Sequence, residues 1–214
     1  MPATGAGLRV IHQDDRLLVA DKPAGLLCVP GRGPDKADCL SARVMAHCLD
    51  AMVVHRLDMG TSGLVLFGRG PHMQRQLSMA FARRQVHKRY EAVVAGLVAN
   101  EHGEIKLPLI TDWPNRPRQM VCHERGKPSL TRWRVISRDK LAGTSRLALE
   151  PVTGRSHQLR VHLAAIGHAI VGDELYAPEA WVQGRPRMLL HACSLVLEPV
   201  TDAGACAFDS PVPF

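Results

Sequence analysis

The chain lacks any C-x-x-C pair, any H-E-x-x-H run, any internal repeat and any apolar stretch approaching the length of a membrane span. The first two absences argue against the common zinc and dithiol motifs. The six cysteines (Cys28, Cys39, Cys48, Cys122, Cys193 and Cys206) are scattered. The eleven histidines are dispersed, with His157 and His162 five apart. Neither set has ligand spacing, so no metal is expected. The N-terminus, Met1 to Gly7, is small and polar and has no signal-peptide core. Reduced thiols in a cytoplasmic protein without membrane contact are the expectation. No segment is rich enough in Gly, Ser or Pro to be a linker. That predicts one domain over residues 8–214 behind a short tail, 1–7.

What is present is a globular composition with a basic bias. Hydrophobic residues make up 46% of the 214, and 27 Lys and Arg outnumber 20 Asp and Glu to give +7. The pI is near 9.4. A polyanion, most often nucleic acid, suits such a balance. Arg carries more of the bias than Lys, and guanidinium groups both grip phosphate bidentately and stack on bases.

Along the chain, Leu8 to Asp21 reads as a hairpin ended by Lys22-Pro23-Ala24-Gly25. Cys39 to Leu49 has apolar residues at helical spacing (Leu40, Val44, Met45, Leu49). Leu64 to Phe67 reads as a buried strand, Gly68 to Gly70 as a turn, and His72 to Arg84 as a helix behind Pro71. Strands are predicted over Val86 to Gly96 and Glu104 to Ile110, with a basic loop over Thr111 to Gly126. Leu130 to Ser137 and Ser145 to Glu150 form an antiparallel pair by pattern. Leu159, Leu163 and Ile166 share a helical face that ends at Gly167-His168, and Met188 to Leu197 is a late strand. The tail is weakly patterned. The class is α+β on a mainly antiparallel sheet.

The stretch from Val53 to Phe67 holds the chemistry. His55-Arg56-Leu57-Asp58 sits in a Gly-rich turn between apolar segments, the arrangement in which rigid elements present a reactive group. On its own, Asp58 in such a turn is more often a turn-forming aspartate, and Tyr90 at a strand start more often an ordinary sheet tyrosine. Trp113 beside Arg116, Arg118 and Arg125 offers a stacking surface and phosphate-binding charge. The alternative is a solvated loop anchored to the core by its Trp.

His55-Arg56-Leu57-Asp58 followed by Thr61-Ser62-Gly63-Leu64 resembles the signature of the RluA family of pseudouridine synthases. Lys88-Arg89-Tyr90, the block Gly154 to His162 and Leu189-Leu190-His191-Ala192 match the family in order and spacing. The similarity runs from about Leu8 to the C-terminus. The resemblance implies a single α+β catalytic domain, with a mixed, mainly antiparallel sheet, flanking helices and a central active-site cleft. It implies isomerisation of uridine to pseudouridine without cofactor or metal. Leu107 to Pro117 resembles the namesake subgroup, which modifies 23S ribosomal RNA and the anticodon stem-loop of certain tRNAs. As in that subgroup, no separate N-terminal RNA-binding domain is expected. Neither DNA nor a partner chain is expected, so a monomer is.

By the same resemblance Asp58 is the nucleophile, Arg160 its counter-charge and Tyr90 the residue that packs on the base and accepts its proton. Arg56 fills the position vacated by the flipped uridine, and Trp113, Arg116, Arg118, Arg155 and His157 contact RNA. His55 and Ser62 shape the turn. Two other classes are weighed against this: a catalytically silent RNA-binding or RNA-folding protein on the same scaffold, and an unrelated metal-dependent hydrolase. The intact Asp58, Tyr90 and Arg160 disfavour the first, and the lack of ligand spacing disfavours the second.

Overall fold

The computed structural model describes residues 7–33, 36–199 and 204–214; most of the expected tail lies outside them. In chain order the elements are β1 (Arg9–Gln13), β2 (Leu17–Lys22), α1 (Leu40–His47), β3 (Ala51–Val53), β4 (Ser62–Arg69), α2 (Gly70–Ala82) and β5 (Val86–Ala95). There follow β6 (His102–Ile105), β7 (Leu109–Thr111), β8 (Gln119–Val121), β9 (Thr131–Asp139), β10 (Thr144–Pro151), α3 (Gln158–Ala165), β11 (Leu190–Leu197) and β12 (Cys206–Asp209). The class is α+β, as expected. Residue contacts group the chain into two compact units, one of Met1–Lys88 with Ala192–Pro213 and one of Arg89–His191 with Phe214.

In the first unit β1 and β2 form the expected hairpin. Its turn is held by Asp14, whose carboxylate accepts the N–H groups of Arg16 and Leu17, each at 2.8 Å. β2 pairs antiparallel with β4, and β3 pairs with the far end of β4. Every residue of β4 but Arg69 is buried, which explains its unbroken apolar run. The strand continues through Gly68 and Arg69, where a turn was expected. α2 therefore starts directly at Gly70, with Pro71 in its first turn. Met73, Leu77 and Ala80 bury one face of α2 in a core with Leu17, Val19, Leu64, Leu66 and Leu195. α1 is shorter than its pattern. Cys39 caps it, Leu40 and Val44 are buried, and Met45 and Leu49 are exposed, Leu49 at 88%.

In the second unit β5 pairs with β10, β10 with β9 and β9 with β6, all antiparallel. Leu147, Leu149, Leu159, Leu163 and Ile170 lie at its core. The single strand expected over Glu104 to Ile110 is two, β6 and β7, broken around Pro108. The proline has no N–H to donate and disfavours continued pairing there. Within the loop expected over Thr111 to Gly126, residues 112–118 and 122–126 contain no strand, but β8 pairs antiparallel with β7 to close a hairpin. Ile166, expected on the buried face of α3, is its C-cap and is exposed. No helix among the described residues is long and apolar enough to cross a membrane.

Candidate active site and RNA-binding surface

In the first unit, residues 54–61 leave β3, turn and enter β4. Several independent ties fix this segment. The side-chain amide of Gln74 on α2 donates to the carbonyl of Val53 at 3.3 Å. His55 Nε2 accepts the N–H of Leu66 at 2.9 Å, and its ring stacks on Phe81 with centroids 4.6 Å apart. Leu57 is buried. The turn at Asp58 closes through the main chain, with Thr61 N–H donating to the Asp58 carbonyl at 3.1 Å. Gly63 has φ 112, and a Cβ there would run into the main chain of Ala192, so no other residue fits.

Lys22, at the end of β2, is fully buried, and sequence reading had used it only as a strand terminator. Its ammonium donates to the carbonyls of Pro23 (2.9 Å), Leu26 (2.6 Å) and Met59 (3.0 Å). The Met59 carbonyl also accepts Gly25 N–H at 2.9 Å. Three acceptors supply the hydrogen bonds that a buried cation requires. The residue after Asp58 is thus fixed from the neighbouring loop. Asp58 itself is half-buried, and Arg56 is exposed with no ion pair among the described residues.

His55 has the structural role expected of it, and this has a consequence in acid. Loss of solvation, assisted by the Lys88 charge, pushes its pKa from 6.5 down to about 3. Between those values the unfolded chain binds a proton that the folded one refuses. Stability therefore falls as pH drops from about 6.5 towards about 3, by up to about 1.4 kcal/mol per pH unit. Urea unfolding at stepped pH should show this slope. His55→Gln, which keeps an acceptor for Leu66 but does not titrate, should lower the slope between pH 6 and 4; an unchanged slope would place the acid sensitivity elsewhere.

In the second unit, Arg160 lies in the first turn of α3 and is buried. Its Nε and Nη2 donate to Oδ2 and Oδ1 of Asp173, both at 2.7 Å. The Asp173 side chain is wholly buried and also accepts Leu175 N–H at 3.0 Å. This is a bidentate, desolvated pair with additional support, the geometry in which such a pair holds a guanidinium in one orientation. Asp173 was not among the residues anticipated. Tyr176 packs beside it, with the Arg160 guanidinium 5.1 Å and that of Arg118 5.3 Å from its ring. Its hydroxyl accepts Gln119 N–H at 2.7 Å and lies 2.7 Å from His157 Nδ1. Burial raises the phenol pKa.

The structure therefore gathers three of the anticipated site residues, Arg118, His157 and Arg160, around Tyr176, which was not anticipated. Trp113 is 65% exposed, which rules out the core-anchor alternative, and the Arg116 guanidinium stacks 4.5 Å over its ring. Arg155 is exposed and its side chain reaches the Pro128 carbonyl at 3.4 Å. Tyr90 is half-buried, pairs in register with Leu149 and packs against the core.

The block from Gly154 to His162 owes its shape to two buried polar residues. Gln158 accepts from Thr153 Oγ1 (2.7 Å) and Arg155 N–H (3.0 Å) and donates to the Leu130 carbonyl and Thr131 Oγ1, both at 3.0 Å. The ring nitrogens of His162 lie 2.9 Å from Thr131 Oγ1 and from Ser129 Oγ, and burial lowers its pKa. Every polar group of the pair is engaged, as buried networks require. His157, at φ 53, marks the bend into α3. Among the described residues no group of three or more His, Cys, Asp or Glu is placed to hold a metal ion.

Comparison with known proteins bears directly on these features. The family model described as RNA pseudouridylate synthase matches residues 16–165. The dual-specificity RNA pseudouridine synthase RluA of Vibrio cholerae is 49% identical over 194 residues, 91% of this chain and 78% of its own. That of Pasteurella multocida is 44% identical over 100% of this chain and 97% of its own. Among solved structures, human RNA pseudouridylate synthase domain containing 1 superposes with a TM-score of 0.83 at 28% identity, covering 100% of this chain and 87% of that one. The chain belongs to the RNA pseudouridylate synthase family.

Proposed function

We propose that this RNA pseudouridine synthase has dual specificity, isomerising uridine in both 23S ribosomal RNA and a tRNA anticodon stem-loop, as a cytoplasmic monomer whose single catalytic domain spans residues 8–214. The observation that supports catalysis most directly is the turn at Asp58. It holds a half-buried carboxylate in a segment fixed by Lys22, His55 and its own main chain, which a protein that only binds polyanionic RNA does not need. Relatives named for dual specificity support the substrate range.

The reaction breaks the bond from the uracil ring nitrogen to the ribose, rotates the base, and joins ring carbon to ribose. The carbon loses a proton and the freed nitrogen gains one, so the product is an isomer. Asp58 is the nucleophile that makes base or sugar reactive. Arg160, held in orientation by Asp173, supplies the positive charge that keeps such a carboxylate ionised in a dry site. Tyr90 packs on the target base and accepts the proton. Because a stacked uridine is out of reach, it is flipped out first. Arg56, exposed and without an ion pair, inserts its planar guanidinium in the gap. Trp113, Arg116, Arg118, Arg155 and His157 contact the RNA.

The test is incubation of the protein, with chelator present, with a 23S fragment and an anticodon stem-loop, followed by mapping of pseudouridine. Product in both is expected. Product in one alone would end the dual-specificity proposal, and binding without product would favour the silent binder. With either substrate, Arg56→Ala should lose most activity on a stacked stem-loop yet regain it when the uridine is pre-opened by flanking abasic sites. Equal defects on both forms would move Arg56 from gap-filling to the chemistry.

A further inference from the structure

From Met59 to Tyr90 the chain contains no Asp or Glu, but five Arg and one Lys. α2 and the turn after it lie within this stretch, and their cations are not spent on structure. Among the described residues Arg75, Arg83 and Arg84 are exposed and make no ion pair. By contrast Arg9, Arg43 and Arg69 of the same unit each hold a carboxylate. The acid that comes near, Glu198, donates its N–H to Gln85 O, and its carboxylate is 2.9 Å from His87 Nε2.

At about 100° per residue, Gln74 and Phe81 fall on one side of α2, where they meet Val53 and His55 of the Asp58 segment. His72, Met79 and Arg83 fall on roughly the opposite side and Arg75 on the flank, about 100° round, and all four are exposed. A second observation concerns Arg84. It sits at φ 62, in the position after the helix where Arg84 N–H donates to Phe81 O and Gln85 N–H to Ala80 O. Glycine is the residue this helix ending favours. An arginine there, exposed and with no ion pair among the described residues, suits the fold less well than glycine would.

We propose that the outer face of α2, with Arg75, Arg83 and Arg84, is a second RNA-binding surface that grips the phosphate backbone outside the target stem-loop. The proposal rests on the RNA-modifying activity of the family and extends it to larger substrates. Three guanidinium groups without competing acids among the described residues suit phosphate contacts that are independent of sequence. Arg83 lies opposite the helix face that meets the Asp58 segment and Arg75 on its flank, which suits RNA that flanks the target and not the flipped uridine.

The experiment measures binding and turnover on two RNAs, a minimal stem-loop and the same stem-loop within a longer structured RNA, across a salt series. For Arg75→Gln/Arg83→Gln/Arg84→Gln, turnover and affinity on the minimal stem-loop should match wild type. Affinity for the longer RNA should fall, and its log affinity against log salt should flatten by about 0.7–0.9 per lost contact, roughly 2 for all three. Three lysines should restore most of that slope. Arg84→Gly should unfold at an equal or higher denaturant midpoint yet still weaken the longer RNA. Equal losses on both RNAs, or an unchanged salt slope on the longer one, would overturn the proposal. Absence of wild-type turnover on either RNA would instead count against the activity on which it rests.

Discussion

Asp58→Asn should lose turnover by about a thousand-fold or more, equivalent to about 4 kcal/mol of barrier, while binding of the stem-loop stays within about threefold. The amide has nearly the shape of the carboxylate but is a poor nucleophile. The local fold has little reason to change. The turn closes through the main-chain carbonyl of Asp58, and Lys22 holds the next carbonyl along. The phosphate contacts proposed for the hairpin tip come from other residues, so affinity for the stem-loop is carried elsewhere. Single-turnover kinetics with a direct binding measurement separates the two quantities. A variant that kept more than about a tenth of wild-type turnover, a difference of only ~1.4 kcal/mol, would exclude Asp58 as nucleophile.

The second large effect concerns stability. Asp173→Asn should destabilise the protein by about 3–5 kcal/mol, because it leaves the Arg160 guanidinium buried without its carboxylate. Arg160→Met should cost a similar amount by stranding the opposite charge. In the combined variant Arg160→Met/Asp173→Asn both charges are gone, and the cost should be well below the sum of the single changes. All three should be inactive if Arg160 supports the chemistry as proposed. Denaturant midpoints across the cycle decide the matter, and simple additivity would mean that the 2.7 Å contacts on both carboxylate oxygens contribute no coupling.

Much of this architecture was legible in the sequence wherever a period or a breaker was strong. The first hairpin, the buried run of β4, the 73-77-80 face of α2 and the β9–β10 pair all carry their pattern over many residues. β3, with only Ala51-Met52-Val53, is too short for alternation to register. β8 and β12 are likewise short, β8 among polar and basic residues and β12 among small residues and prolines, and both read as loop. Met45 and Leu49 fit a helical face by spacing, but α1 stops at His47 and that face is not covered there. The functional stretch was readable because its signature is local. Asp173 and Tyr176 were not, because their importance comes from packing against Arg160, His157 and Gln119, and no spacing rule links residues 13, 19 and 57 positions apart. Lys22 was misjudged because its three acceptors are main-chain carbonyls, and backbone partners have no residue type to recognise.

That buried ammonium also determines which partner must deform when RNA binds. With Lys22 clamping Met59 to the loop at Pro23 and Leu26, the Asp58 turn cannot reshape itself around a stacked uridine without breaking several bonds to a desolvated cation. The protein side of the encounter is stiff, and the rearrangement falls on the nucleic acid, through unstacking and backbone distortion. On the flipping mechanism proposed above, choice among uridines would depend on how cheaply each RNA loop can be opened. Two RNAs with little sequence in common become equivalent substrates when their loops open into the same shape.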